Sequence, residues 1–200
     1  MGRRATPEVN AGSMADIAFL LLIFFLVTTT IEKDKGIARQ LPPKQDEQPP
    51  VDIKEKNIFV VTVNKEDQIL ADNELMDIQD IRQAAISFLD NGGDGSCAYC
   101  KGEKDLTSSD NPEKAIITVK SDRETSYKTY IQVQNELVAA YNFLRDRESE
   151  RLFGFKFTKV KSAIATGDFK GNEEKAQLKL KEIQALFPMK LSEAEAKKSQ

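Results

Sequence analysis

The sequence contains no histidine, only two cysteines and almost no excess of one charge over the other. Without histidine it has no His metal ligand, no His general base and no Ser-His-Asp or Cys-His nucleophile. Two cysteines alone do not complete a four-cysteine zinc site. The 29 Lys and Arg against 32 Asp and Glu give −3, whereas a dedicated nucleic-acid binder would be basic. No glycine-rich phosphate loop, paired acids at a recognisable spacing or cofactor motif is present, so we expect no enzyme, cofactor or metal site.

A second absence is local, because no charged residue occurs from Ile17 to Ile31. Fifteen helical residues cover about 22 Å, which is short of a bilayer core of about 30 Å. Extending the helix back to Ala11 gives 21 residues and about 31 Å, which spans. The extension places Asp16 about 7 to 8 Å inside the near end. The sequence therefore predicts a transmembrane helix over residues 11–31 that carries one carboxylate.

Three interpretations of this segment compete. A cleaved signal peptide agrees with Arg3 and Arg4, but the Thr28–Thr30 run is a poor cleavage site and Asp16 a poor start for an apolar region. A plain signal anchor would only hold a soluble domain at the membrane. A carboxylate at a working site inside the membrane is the more specific interpretation, since an ionised Asp costs roughly 2.5–3.5 kcal/mol at the centre of a span.

The helical face that carries Asp16 is otherwise almost entirely apolar. It comprises Phe19, Leu20, Ile23, Val27 and Thr30. The acid has no charged partner on its own helix, so it must be neutral, pair with another helix or face a wet cavity. Leu20, Ile23 and Thr30 are the candidates to face a channel beside it, although interface polarity is the plainer explanation of the threonine.

Composition divides the rest of the chain into four parts. Residues 1–10 are a short tail, and residues 32–56 are a charged linker with four of the seven prolines. The linker reaches about 28 Å as a loose coil and about 80 Å when extended. Residues 57–160 form the predicted globular domain, followed by a helical extension over residues 161–200. Basic residues flank both sides of the span, so charge counting leaves its orientation open.

The domain reads as a small two-layer α/β fold with the order β-β-α-β-α-β. The predicted elements are a strand over 57–63, a hairpin partner over 68–71, a helix over 77–90, a strand over 115–120 buried on both sides, a long helix capped by Thr125 or Ser126 and running to about Arg147, and a strand over 153–159. An amphipathic helix over 172–187 precedes a polar tail; it either packs on the core or binds a partner.

Residues 91–112 form an insert that contains Cys97 and Cys100. A c-type haem site would need His where Lys101 stands, and a redox CxxC belongs at a strand-to-helix junction rather than in a Gly-rich loop. Half of a zinc site shared with a second chain is one alternative, and a functionless free pair is another. A local disulfide in an oxidising compartment is the interpretation we favour.

The Asp-bearing span and several segments after it resemble the ExbD/TolR family of biopolymer transport proteins. The residues that carry the resemblance are Ser13–Thr28 around Asp16, Leu41–Pro43, Val119–Arg123 and Tyr127. The resemblance covers roughly residues 8–160, and its specific part is the span motif.

The resemblance implies a proton-driven energy transducer in the inner membrane of a bacterium. Such proteins act as dimers whose Asp-bearing helices are surrounded by a multi-span partner of the ExbB/TolQ/MotA kind, and they drive a TonB-like protein that serves outer-membrane uptake or export. The resemblance implies that Asp16 carries the proton, with the N-terminus cytoplasmic and the C-terminal domain periplasmic. A TolR-like protein of cell-envelope integrity and a membrane-anchored periplasmic binding or scaffold protein are the alternatives, and Asp16 could also serve Na⁺.

Overall fold

The computed structural model describes residues 11–28 and 53–195 of the 200-residue chain. The chain divides into two compact units, residues 1–49 and residues 50–200. The described part of the first unit is one helix, α1 (Ala11–Thr28). The predicted span over residues 11–31 is therefore helical over its described part, while its last three residues and most of the predicted linker lie outside the described residues.

The second unit is a five-stranded mixed sheet with four α-helices and one short 3-10 helix (Glu55–Asn57) among its described residues. Its strands are β1 (Ile58–Val63), β2 (Ile69–Ala71), β3 (Glu74–Met76), β4 (Ile116–Ser121) and β5 (Leu191–Glu195). Its helices are α2 (Ile78–Leu89), α3 (Tyr127–Phe153), α4 (Phe157–Thr166) and α5 (Glu173–Leu186). The sheet order is β3-β2-β1-β4-β5.

The centre of the sheet agrees with the sequence prediction. β1 runs parallel to β4, with Ile58 opposite Ile116, and its other edge pairs antiparallel with β2. β4 is central, as predicted, because β5 pairs with its far edge in parallel. Its first four side chains nevertheless alternate between half-buried and buried and Lys120 is exposed, so the prediction of burial on both sides is wrong. The short β3, which the sequence analysis missed, continues the hairpin.

The core lies between one face of this sheet and two helices. The buried side chains of β1 are Phe59, Val61 and Val63, which alternate as a strand with one covered face requires. They belong to one cluster with Ile81, Ala85 and Leu89 of α2 and with Val133, Leu137 and Tyr141 of α3. Sheet and helices make two layers, which confirms the predicted α/β class.

Helix α3 is six residues longer than predicted. It begins after Ser126, whose hydroxyl accepts the Thr129 backbone N–H at 3.2 Å, so Ser126 is the cap rather than Thr125. It ends at Gly154, which has a φ of +73°. A left-handed residue of this kind closes a helix, and glycine adopts it without a steric cost.

The strand predicted over residues 153–159 is wrong. The structure has the end of α3, the glycine turn and the start of α4 there instead. The Phe153 and Phe155 rings stack at the turn with centroids 5.7 Å apart. Phe157 is fully buried in a second cluster with Leu180 and Ile183 of α5. The alternating phenylalanines thus serve a helix–turn–helix junction, where Phe153 and Phe155 pack against the cluster that contains Phe157.

The polar tail predicted after α5 is also wrong in its first part, because β5 completes the sheet. Its pairing places Ile117 of β4 opposite Leu191. The Tyr130 hydroxyl of α3 donates to the Glu193 carboxylate, and Gln134 donates to the same oxygen at 3.2 Å. Residues 161–195 are therefore an integral part of the domain. The predicted helix over 172–187 is confirmed as α5.

Candidate functional site

Helix α1 places three of the predicted site residues on one helical face. Leu20 and Ile23 follow Asp16 at spacings of four and seven residues, so the three side chains share that face. Thr30 lies outside the described residues. The described side chains from Met14 to Phe25 are all exposed. The large apolar ones keep between 40% (Ile23) and 62% (Leu22) of their surface open.

Asp16 is the only ionisable residue of α1, and its side chain is exposed with its neighbours. Within the part of the chain that the structure describes, no ion pair involves its carboxylate. Among the described helices, none combines the length and the apolar character that crossing a membrane requires.

In the second unit, the insert of residues 91–112 holds a disulfide between Cys97 and Cys100. Both cysteines are buried. The bond packs directly on Gly92, where an added Cβ would lie 3.0 Å from Cys100 Cβ and where φ is +67°. The disulfide therefore closes a tight loop on a position that favours glycine.

Tyr99, the second of the two residues between the cysteines, connects this loop to the end of α5. The Tyr99 hydroxyl donates to the Leu186 carbonyl at 2.8 Å, and its ring meets the buried Phe187 ring edge to face at 5.3 Å. Burial raises the pKa of Tyr99 to about 12, so the hydroxyl stays a donor at neutral pH. Arg147 of α3 donates to the Tyr99 carbonyl at 3.3 Å. Loop, α3 and α5 thus meet around one tyrosine.

The far end of the insert is held by a buried carboxylate. Asp110 forms an ion pair with Lys56 at 2.5 Å and accepts a hydrogen bond from the Asn57 amide at 3.3 Å. The Asn57 side chain also accepts the Asp110 backbone N–H at 2.7 Å. The Lys56 hydrogen bond is the main reason why the pKa of Asp110 lies below its usual range. This contact joins the insert to the turn that leads into β1.

We expect acid to loosen this contact. Because the folded pKa of Asp110 is lowered, its contribution to stability is full above the unfolded pKa of about 3.9 and is lost as pH falls through the folded value. The urea concentration at which half of the protein is unfolded should therefore stay constant near neutral pH and decrease once the pH is below about 4. Asp110→Asn should flatten this fall. Wild-type and variant midpoints that run parallel down to pH 2 would contradict the assignment.

A network of charged side chains, which the sequence did not predict, lies along the C-terminal half of α3 and reaches Asp90 at the end of α2. Arg147 donates two hydrogen bonds to Asp90, at 2.6 and 2.8 Å, and a third to Glu148 at 3.1 Å. Glu148 is fully buried and also accepts from Arg151 at 2.6 Å. Residues 145–151 contain charges of both signs, a pattern that is typical of a solvent-exposed helix face. The sequence therefore gave no local signal that Glu148 would be buried.

The described residues of the two units form no site that resembles a metal or cofactor site. No group of three or more described His, Cys, Asp and Glu residues is placed to hold a metal ion. A groove of about 250 Å³ lies between α2 and the insert, lined in part by Phe59, Ser87 and Asp105. Pockets for small molecules usually measure about 300–1,000 Å³, so this groove is small for a cofactor.

The described residues thus comprise an apolar helix with one carboxylate and a small α/β domain. The sequence matches the biopolymer transport protein family ExbD/TolR over residues 3–144. The chain belongs to the ExbD/TolR family. No curated protein matches it significantly. The match includes Asp16 and the domain as far as Leu144 of α3, and it leaves α4, α5 and β5 outside.

Family membership carries several general properties to this chain. Members of the ExbD/TolR family are inner-membrane proteins associated with biopolymer transport, and they are not known enzymes. They work in membrane complexes with partners of the ExbB/TolQ and TonB/TolA kinds. These properties make α1, rather than the groove of the second unit, the candidate functional site.

Proposed function

We propose that this protein is the ion-coupled subunit of an inner-membrane energy-transducing complex, with Asp16 as its proton carrier. Its partners are an ExbB/TolQ-like multi-span protein and a TonB-like protein, and it acts as a homodimer that drives outer-membrane uptake or export. The observation that carries the proposal is a lone carboxylate on an apolar helix whose described side chains are exposed on every side.

The exposure of α1 supports a membrane position. A helix with apolar side chains on its whole circumference needs lipid or other helices around it. The described helix of 18 residues is about 27 Å long, which is shorter than the bilayer core of about 30 Å. The uncharged sequence continues to Ile31, and a helix over residues 11–31 would reach about 31 Å. We therefore propose that residues 11–31 form the span.

Asp16 couples to ion movement through its two protonation states. The neutral carboxyl group tolerates an apolar wall, while the ionised carboxylate requires a polar or cationic group on a neighbouring helix. Leu20 and Ile23, on the same face, would slide along that neighbour. One charge that crosses the membrane potential provides about 2.3 kcal/mol per 100 mV, enough to bias the motion of one helix set against another.

The linker and the domain form the output side of this proposal. We propose that the C-terminal domain lies in the periplasm and the N-terminus in the cytoplasm, which is the orientation that the resemblance to the family implies. The charged linker, residues 32–56, would pass movements of the span on to the domain. The disulfide of the insert agrees with an oxidising compartment.

Exchange of the span tests the proposal against a scaffold function. Residues 11–31 are replaced by an unrelated single span of equal length without an acidic residue, and substrate uptake is measured in cells that lack the native chain. We expect a membrane-bound protein without uptake. The matched control is the same foreign span with Asp at the sixth position. Full uptake with the acid-free span would overturn the proposal in favour of a membrane-anchored scaffold.

A further inference from the structure

The groove between α2 and the insert has an apolar floor. The rings of Phe59 and Phe88 stack there with their centroids 5.3 Å apart, and Ala84 lines the groove beside them. At about 250 Å³, the groove lies below the usual size of a small-molecule pocket, so it fits a single long side chain better than a cofactor. The floor offers an apolar surface to the aliphatic part of such a side chain.

The rim of the same groove is acidic. Asp72 comes from the turn between β2 and β3, whereas Glu103 and Asp105 come from the insert. No Lys or Arg stands among the described residues that line the groove. None of the three carboxylates forms an ion pair with another described residue. Charge of one sign around an apolar groove favours a ligand of the opposite charge.

The basic residues in the surroundings do not cancel this charge. The Lys56 charge contributes to the lowered pKa of Asp105, but its ammonium group is held by Asp110 at 2.5 Å and by the Leu106 carbonyl at 3.0 Å. Two further lysines of the insert are exposed but do not line the groove: Lys101 and Lys104. Residues 66–81, which include the β2–β3 turn, contain six Asp and Glu and no Lys or Arg.

The insert holds its part of the rim in a fixed position. The buried Asn91 amide donates to the Asp105 and Ser109 carbonyls, at 2.8 Å each, and its oxygen accepts the Asp105 backbone N–H at 2.9 Å. One oxygen of the Asp105 carboxylate accepts the Thr107 backbone N–H at 2.8 Å and the Thr107 hydroxyl at 2.7 Å. These two bonds lower the pKa of Asp105. The other oxygen has no described hydrogen-bond partner, so an ionised and oriented acceptor is in place before a ligand binds.

We propose that this groove binds an Arg or Lys side chain from a basic segment of a partner protein. The aliphatic part of the side chain lies on the phenylalanine floor, and its charged end meets the carboxylates of the rim. Leu106, the residue after Asp105, is 74% exposed and gives an apolar contact to residues that flank the basic one. This contact favours a protein segment over a free cation. The proposal is independent of the function of Asp16, because the groove lies within the second unit.

A short basic peptide probes the groove directly. Acetyl-Leu-Arg-Leu-amide is added to the full-length chain in zwitterionic detergent, and saturation-transfer NMR measures which peptide protons contact the protein, with empty micelles as the blank. The matched peptide has citrulline in place of arginine, which keeps the shape of the side chain but not its charge. We expect saturation of the arginine methylene protons and an affinity for the citrulline peptide that is lower by about tenfold.

Charge variants locate the binding site on the protein. Asp72→Asn together with Glu103→Gln removes two charges of the rim and keeps the shape of side chains that have no described hydrogen-bond partner. This double variant should bind the arginine peptide about tenfold more weakly. Glu124→Gln together with Glu182→Gln changes two exposed carboxylates that do not line the groove and should leave the affinity unchanged.

Three results would overturn the proposal. Equal affinities for the arginine and citrulline peptides would remove the role of charge, and equal losses in the two double variants would place the binding site outside the groove. Binding of arginine amide alone with the affinity of the whole peptide would assign the groove to a free cation instead of a protein segment. The proposal instead predicts weaker binding of arginine amide, and binding of the peptide that decreases in high salt.

Discussion

Asp16→Asn is expected to abolish ion-coupled transport while the protein still enters the membrane and assembles. Asparagine has nearly the shape of aspartate but neither gains nor releases a proton near neutral pH, so the proposed carrier is lost and the apolar helix is kept. Proton flux into liposomes that contain the complex, purified through a tag on this chain, should fall to the leak rate of empty liposomes.

Two control substitutions separate loss of the carrier from a disturbed helix. Asp16→Glu keeps a carboxylate and should retain part of the flux. Phe25→Leu alters an exposed apolar side chain nine residues away, on the opposite face of α1, and should have little effect. Flux of Asp16→Asn equal to the wild type would contradict the carrier function, and so would loss of flux in all three variants alike.

Arg147→Leu is expected to lower the free energy of unfolding of the second unit by about 3 kcal/mol. The change leaves Asp90 without its bidentate partner and removes one of the two arginines that pair with the buried Glu148. It also removes the donor to the Tyr99 carbonyl, which helps hold the insert. Urea unfolding of the full-length protein in detergent, followed by circular dichroism, measures the loss.

The same substitution at an exposed pair provides the control. Arg82 bonds Glu136 at 2.7 Å between α2 and α3, but its side chain is 50% exposed. Arg82→Leu should therefore change the free energy of unfolding by less than about 1 kcal/mol. Equal losses in both variants would mean that burial does not strengthen the Arg147 network.

The centre of the domain could be predicted because its signals are local. β1 and β4 are β-branched runs, and α2 and α5 have apolar residues at helical spacing. The cap at Ser126 is likewise a local signal, since its hydroxyl serves the first turn of α3.

The errors lie where distant contacts decide the structure. β5 reads as a polar tail because Ser192 and Glu193 have low strand propensity, and it becomes a strand only by pairing with β4 and by the hydrogen bonds to Glu193. The phenylalanines from 153 to 157 imitate a strand, since neither the stacked pair nor the buried Phe157 pocket is visible in the sequence.

Of the features described around the candidate sites, some could be predicted from local sequence signals and others could not. Asp16 stands out from sequence alone, because an acid next to fifteen uncharged residues is unusual. The network around Arg147 gives no such signal, since its partners Asp90 and Tyr99 come from segments about fifty residues away.

The central claim, that Asp16 gains and loses a proton during energised work, is tested most directly by infrared difference spectroscopy. The complex is reconstituted with ¹³C-labelled aspartate in this chain, and spectra are recorded before and after a pH gradient is imposed. The account predicts an isotope-shifted band of a protonated carboxyl group that changes with the gradient and is absent from Asp16→Asn. A gradient-dependent band that persists in Asp16→Asn, or an Asp16 band that does not respond to the gradient, would contradict it.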